Sequence, residues 1–111
     1  MKLVYKCIGK NMVVKFIGEI DHHQSKTVRE EIDSVIYNDN IKNIIFDFSN
    51  VDFMDSSGIG MILGRYKKVE DKDGKIFLVN VRGNLDDIFK ISGLYSVAQK
   101  YNTVSEALEV V

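Results

Sequence analysis

Two short apolar runs rich in β-formers, Leu3–Ile8 and Met12–Ile17, are separated by only Gly9-Lys10-Asn11. A Gly-containing connector of that length is typical of a β-hairpin, so the chain opens with an antiparallel pair of strands. The rhythm then changes. Asp21 has Gln24 three residues later, the capping-box spacing with Asp in place of Ser or Thr. Val28, Ile32, Val35 and Ile36 follow at i, i+4, i+7 and i+8, with Lys26, Arg29, Glu30 and Asp33 on the other side, which predicts a helix fading near Asn38-Asp39-Asn40. Ile41–Phe48 is apolar without clean alternation, as in a strand covered on both faces. A second helix is expected from about Ser56-Ser57-Gly58, with Ile59, Ile62, Leu63 and Tyr66 as its buried stripe and Gly74 as its C′ residue. Lys75–Val81 reads as the next strand. Asn84 can cap a short helix carrying Leu85, Ile88 and Phe89, closed by Gly93 with Leu94 folding back. A short strand within Ser96–Tyr101 and a terminal helix capped at Thr103-Val104-Ser105-Glu106 complete the order β-β-α-β-α-β-α-(β)-α. A hairpin followed by βαβ units implies an α/β fold: a mixed sheet opened by the hairpin and flanked by about four α-helices, with residues 1–111 forming one domain.

Composition narrows the function classes. With 45% apolar and 28% charged residues the chain is ordinary globular material, not a disordered one. Fifteen basic against sixteen acidic side chains give a net charge of −1, so no general pull toward nucleic acid or an anionic membrane is expected. The single cysteine, Cys7, excludes an intrachain disulfide and a cysteine-based zinc site, and its place in a strand predicts a small buried hydrophobe. No apolar run approaches the roughly 20 residues that span a bilayer, and Met1–Lys6 has no signal-peptide pattern. A soluble, cytoplasmic protein is the expectation.

Most enzyme templates are absent. There is no phosphate loop, no serine-hydrolase elbow and no zinc-protease His pair; Gly58-Ile59-Gly60 begins like a dinucleotide fingerprint, but Leu63 stands where its third Gly belongs. A phosphoacceptor receiver domain would open with a lone parallel strand, not a hairpin. His22 and His23, adjacent on a helix, point about 100° apart and cannot easily ligate one metal. They read as a solvated first turn or a partner contact, and Asp21 as a cap. Arg65-Tyr66-Lys67-Lys68 reads as a solvated helix face. No metal or other cofactor is expected.

Phe53-Met54-Asp55-Ser56-Ser57-Gly58-Ile59-Gly60 is the strongest local signal. A strand feeds a loop and then a helix start, where Asp, Ser and Gly satisfy free N–H groups. The same N-terminus favours negative charge, so a phosphate on Ser56 or Ser57 could be held there. Each serine is thus a candidate cap and a candidate modification site. Gly60 and Gly64, four apart, cost roughly 1 kcal/mol each relative to Ala within a helix. That cost suggests close approach of another backbone. Met61, Arg65 and Lys68, at i, i+4 and i+7, form the expected exposed, partner-facing stripe beside them.

The segment Phe53–Lys67, with its Asp-Ser-Ser-Gly turn and Gly64-Arg65-Tyr66-Lys67, resembles the phosphoacceptor region of the anti-sigma factor antagonists, the small STAS-domain proteins. Gly18-Glu19-Ile20-Asp21-His22-His23 and Phe89-Lys90-Ile91-Ser92-Gly93-Leu94 resemble that family's two other signatures, in its order and spacing, and the Asp-His-His and Gly-Arg-Tyr-Lys elements point to the sporulation branch. The resemblance implies a non-enzyme whose unphosphorylated form binds an anti-sigma factor and frees a sigma factor. It implies that the anti-sigma factor is also a serine kinase, that the acceptor is the first serine after the Asp, Ser56, with Asp55, Ser57 and Gly58 around it, and that a manganese-dependent serine phosphatase reverses the modification. Asp21, His22, Met61, Gly64 and Arg65 are then the candidate partner-binding residues. A nucleotide- or small-molecule-binding STAS module is the alternative, with Gly58 and Gly60 receiving a phosphate. No basic residue is placed there like a phosphate-loop lysine.

Overall fold

β1 (Lys2–Ile8) and β2 (Asn11–Ile17) form the expected hairpin in a computed structural model that describes residues 2–111. Gly9 turns the corner with φ +61°, a backbone region that glycine enters without penalty. The register pairs Leu3 with Phe16, Tyr5 with Val14 and Cys7 with Met12. β3 (Asn43–Asn50), β4 (Ile76–Val79) and β5 (Gln99–Tyr101) then join β2 in parallel, in the spatial order β1-β2-β3-β4-β5. The connections are α1 (His22–Asn38), α2 (Ser56–Glu70) and α3 (Asn84–Ser92), the last followed by a 3₁₀ turn at Leu94–Ser96. Each crossover moves one strand further in the same direction. A constant right-handed crossover therefore puts α1, α2 and α3 on one face of the sheet. α4 (Val104–Val110) follows the last strand and packs on the opposite face.

The two layers explain the missing alternation in β3. Ile44, Phe46 and Phe48 join Met12, Val14, Phe16, Ile76 and Leu78 under the three helices, while Ile45 faces α4 with Val13, Phe77, Val79 and Ala107. An aromatic chain runs through the larger layer. Phe16 stacks on Phe46 at 5.8 Å and Phe48 meets Phe89 edge-on at 5.1 Å, tying β2 and β3 to α3.

Four local expectations are corrected. Cys7 is exposed, because β1 is an edge strand; its thiol donates to an Asp39 carboxylate oxygen at 3.6 Å. Partial burial and that carboxylate push the thiol pKa up. Gly74 is not the left-handed residue after α2; Asp73 is, with φ +60°. Glycine is needed at 74 because a Cβ would run into the Lys42 backbone carbonyl. α3 begins after Gly83 (φ +57°), with no side-chain cap from Asn84. The predicted strand within 96–101 keeps only Gln99–Tyr101, the rest being the 3₁₀ turn and its exit.

What matters for the site is an edge. β2, β3 and β4 are parallel, so the helices that follow them all begin at the same end of the sheet. A parallel bridge between Ile20 and Met54 extends the pairing past the strands and draws the two loops together.

Candidate functional site

Asp55 caps α2. Its Oδ1 accepts from the backbone N–H of Ser57 at 2.9 Å and of Gly58 at 3.3 Å, and its carbonyl accepts the first intrahelical bond from Ile59 at 3.2 Å. Neither serine is therefore needed as a cap. Ser56 sits at the first helical position, exposed. Neither its hydroxyl nor its N–H has a partner among the described residues. Ser57 is half-buried, and its Oγ lies 3.3 Å from Nδ1 of His22. Gly58 is buried against Met54, where a Cβ would displace that side chain.

α1 arrives at the same edge. Asp21 caps it, accepting from the Gln24 N–H at 2.9 Å, and the Ser25 hydroxyl donates to the His22 carbonyl at 3.0 Å. The first two to three turns of α1 and the N-terminal turns of α2 enclose a cleft of about 510 Å³ whose walls include His22, His23, Lys26, Arg29, Ser56, Ser57 and Gly60. On the other side of Ser56 lies an apolar groove of about 430 Å³ formed by Met54, Ile59, Leu63, Ile88, Ile91 and Ser92 with Asp55 and Gly60. Ser56 and Gly60 thus form a ridge between a basic cleft and an apolar groove. Among the described residues no three His, Cys, Asp or Glu side chains converge to hold a metal ion, and no helix is long and apolar enough to cross a membrane.

The expected site residues separate into two groups. Asp21, His22, Asp55, Ser56, Ser57 and Gly58 meet at this edge. The exposed stripe of Met61 and Arg65 does not exist: Met61 is 1% exposed and Arg65 is 6% exposed. Met61 forms part of the floor of the basic cleft, and Arg65 is inserted between α2 and α1 with its Nε 2.8 Å from Asp33. Lys68, the third member, is exposed and stands 3.9 Å from the other Asp33 oxygen. α2 is rotated relative to the sequence expectation, so Ile59, Leu63 and Tyr66 are only half-buried. Gly60 and Gly64 face open space, with nothing within 4 Å of an added Cβ, so nothing in this chain needs their small size.

Sequence reasoning also passed over residues that the fold brings to Ser56. Ile91 is 87% exposed, an unusual position for isoleucine. With Ile88 and Ser92 it carries the third signature to the apolar groove. The signature itself was visible; its proximity to Ser56 depends on strand order. Asp86, in the first turn of α3, ties that helix to the segment that follows it. That carboxylate accepts from the Tyr95 hydroxyl at 2.6 Å and the Lys100 ammonium at 2.8 Å, and pairs with Lys90 at 3.1 Å. Hydrogen bonds from Lys100, Tyr95 and Lys90 hold the carboxyl well below the usual carboxylate range. Burial and the Asp86 partner push the Tyr95 hydroxyl pKa up.

The STAS domain family pattern matches residues 2–107. The chain belongs to the STAS domain family. This STAS domain is 36% identical, over 87% of its length and 83% of the relative's, to the anti-sigma F factor antagonist of Paenibacillus polymyxa. Among solved structures it resembles the anti-sigma factor antagonist SpoIIAA in its unphosphorylated form, with a TM-score of 0.87 at 30% identity over 97% of this chain and 94% of that one. It also resembles the Bacillus cell fate determinant SpoIIAA in the phosphorylated form, with a TM-score of 0.77 at 30% identity and 97% of each chain covered. Within its family this STAS domain groups with the anti-sigma factor antagonists.

Proposed function

We propose that this STAS domain is a phosphorylation-switched antagonist. Unmodified, it binds an anti-sigma factor and frees the sigma factor that protein holds. The anti-sigma factor, acting as a serine kinase, uses ATP to modify Ser56, and a manganese-dependent phosphatase restores the active form. The domain itself is substrate and binding module, with no catalytic residue of its own, and an ATP-driven switch of this kind operates in the cytoplasm. The observation that carries the reading is the division of labour at the helix start: Asp55 does the capping, leaving the Ser56 hydroxyl exposed and unpartnered. The Ser57 hydroxyl is half-buried beside His22, which favours Ser56 as acceptor. The partner surface follows from the same place. It covers the Ser56–Gly60 ridge and the two grooves beside it, with Asp21 and His22 at one margin and Ile91 at the other. Met61 and Arg65 take no exposed part in it.

The test is direct. Incubated with the cognate kinase and ATP, the domain should gain one phosphate, located at Ser56 by peptide mass spectrometry. Ser56→Ala should abolish incorporation and Ser57→Ala should slow it at most. Normal incorporation into Ser56→Ala overturns the assignment.

A further inference from the structure

His22, Lys26 and Arg29 occupy i, i+4 and i+7 of α1, one stripe of that helix, and all three line the cleft beside Ser56 together with His23. No carboxylate lines that cleft. This clustering stands out in a chain whose overall charge is −1. Neither cation is consumed by the fold. Lys26 is 75% exposed and reaches Glu30 only at 4.0 Å, and Arg29 has no ion pair among the described residues. A concave site lined by one sign of charge concentrates its field on whatever enters it. The group best placed to enter is one attached to Ser56, at the cleft's rim.

We propose that the cleft between α1 and the start of α2 is a receiver for the phosphoryl group on Ser56, with Lys26 and Arg29 binding its oxygens. The inference rests on the Ser56 reading above but adds a site on a different helix. The Ser57 and Gly58 N–H groups are taken by Asp55, so the start of α2 offers the phosphate only the Ser56 N–H, and Lys26 and Arg29 on the α1 wall of the cleft supply the charged donors. Arginine and lysine suit different parts of the task, the one as a planar fork and the other as a mobile point charge. The charged and titratable groups facing the phosphate are then His22, His23, Lys26 and Arg29 from α1, and Asp55 from the loop before α2. Asp55 has one oxygen committed to the Ser57 and Gly58 N–H groups. Charge of the opposite sign close to the phosphate stabilises its dianion and lowers its second pKa.

The experiment uses the full chain with phosphoserine inserted at position 56 during synthesis, so it does not depend on any kinase choosing that serine. Phosphorus NMR follows the phosphate through pH 4 to 8 in the wild-type background and in Lys26→Gln/Arg29→Gln. Both proteins keep His22 and His23, so the two chains differ only at Lys26 and Arg29. The wild-type second pKa should lie below that of the double variant by about half a unit or more, from a starting value near 6, and raising the salt should shrink the gap. Each single variant should show part of the effect. Both side chains are exposed, and an unchanged amide spectrum of the unmodified double variant verifies its fold. Coincident titration curves overturn the proposal. So does a double variant with an unshifted phosphate but slowed phosphoryl transfer from the kinase, since the cations would then serve the incoming nucleotide. Failure of Ser56 to accept phosphate from the kinase is a separate result, and counts against the function proposed above.

Discussion

Arg65 holds a guanidinium 6% exposed, with Asp33 as its carboxylate partner. Burial lowers its pKa and the Asp33 charge raises it. An arginine stays protonated throughout the accessible pH range, so a permanent charge is buried between two helices. Read as a surface residue, Arg65 could be exchanged for glutamate with the fold intact. The structure reverses that expectation, because Arg65→Glu would set two carboxylates together at the α1–α2 contact. For Arg65→Ala we expect a loss of about 2–3 kcal/mol, at or just below the low end for breaking a buried pair because Asp33 is 31% exposed and retains part of its hydration. Urea unfolding checks this, and an unchanged midpoint would show that the pair contributes nothing. The residue could not have been placed from sequence. Gly64-Arg65-Tyr66-Lys67 identifies a family element, but a charged residue on an amphipathic helix is normally solvated. Only the packing of α1 against α2 reveals the partner 32 positions upstream. Asp55 was legible as one of the candidate caps because capping is a matter of neighbouring residues, but the choice among Asp55, Ser56 and Ser57 was not.

α2 shows the same boundary at the scale of an element. Its existence, start and approximate end follow from Asp55 and the apolar spacing, but its rotation does not. Ile59, Met61, Ile62, Leu63 and Tyr66 cover a wide arc, and more than one stripe can be drawn through them. The sheet and α1 select Gly58, Met61, Ile62, Arg65 and Val69 for burial, and this turns Gly60 outward onto the ridge between the two grooves. The hairpin, the Asp21 cap and the Thr103 cap were legible for the reason Asp55 was; the exposure of Cys7 was not, since nothing in β1 says that it is an edge. Gly60 yields a prediction with two opposed readouts. A methyl group there meets nothing within 4 Å, so Gly60→Ala should stabilise the free domain by about 0.5–1 kcal/mol through helix propensity. On the proposed docking ridge the same methyl should weaken binding to the anti-sigma factor by about tenfold. Thermal unfolding and calorimetric titration measure the two effects. A stabilised variant with full affinity would move the partner off this ridge.

At the scale of the whole molecule, stability and switching are laid out in different places. Asp86 joins α3, the 3₁₀ turn and β5 through Lys90, Tyr95 and Lys100, at the sheet edge opposite the hairpin. Its folded pKa is depressed, first by Lys100, then by Tyr95 and Lys90. An unfolded aspartate titrates near 3.9, so as pH falls through about 4 the unfolded chain takes up a proton that the native one does not, and stability drops. Wild-type melting temperature should therefore fall between about pH 4 and pH 2 more steeply than that of Asp86→Asn, and parallel curves would remove Asp86 from the acid response. Phosphorylation should act elsewhere and leave this framework alone. The start of α2 accommodates negative charge, and Ser56 is exposed at its first helical position. Phosphoserine at 56 should thus keep the melting temperature within a few degrees. A dianion at a packed interface must be desolvated or must clash, at a cost of several kcal/mol, enough to reduce anti-sigma affinity at least about a hundredfold. Ser56→Asp should reproduce only part of that loss, having less charge and fewer oxygens. The deciding measurement is the amide spectrum before and after modification. Changes confined to the two grooves fit a local mechanism, whereas changes reaching Val104 and Ala107 of α4, on the far face of the sheet, would require a conformational one.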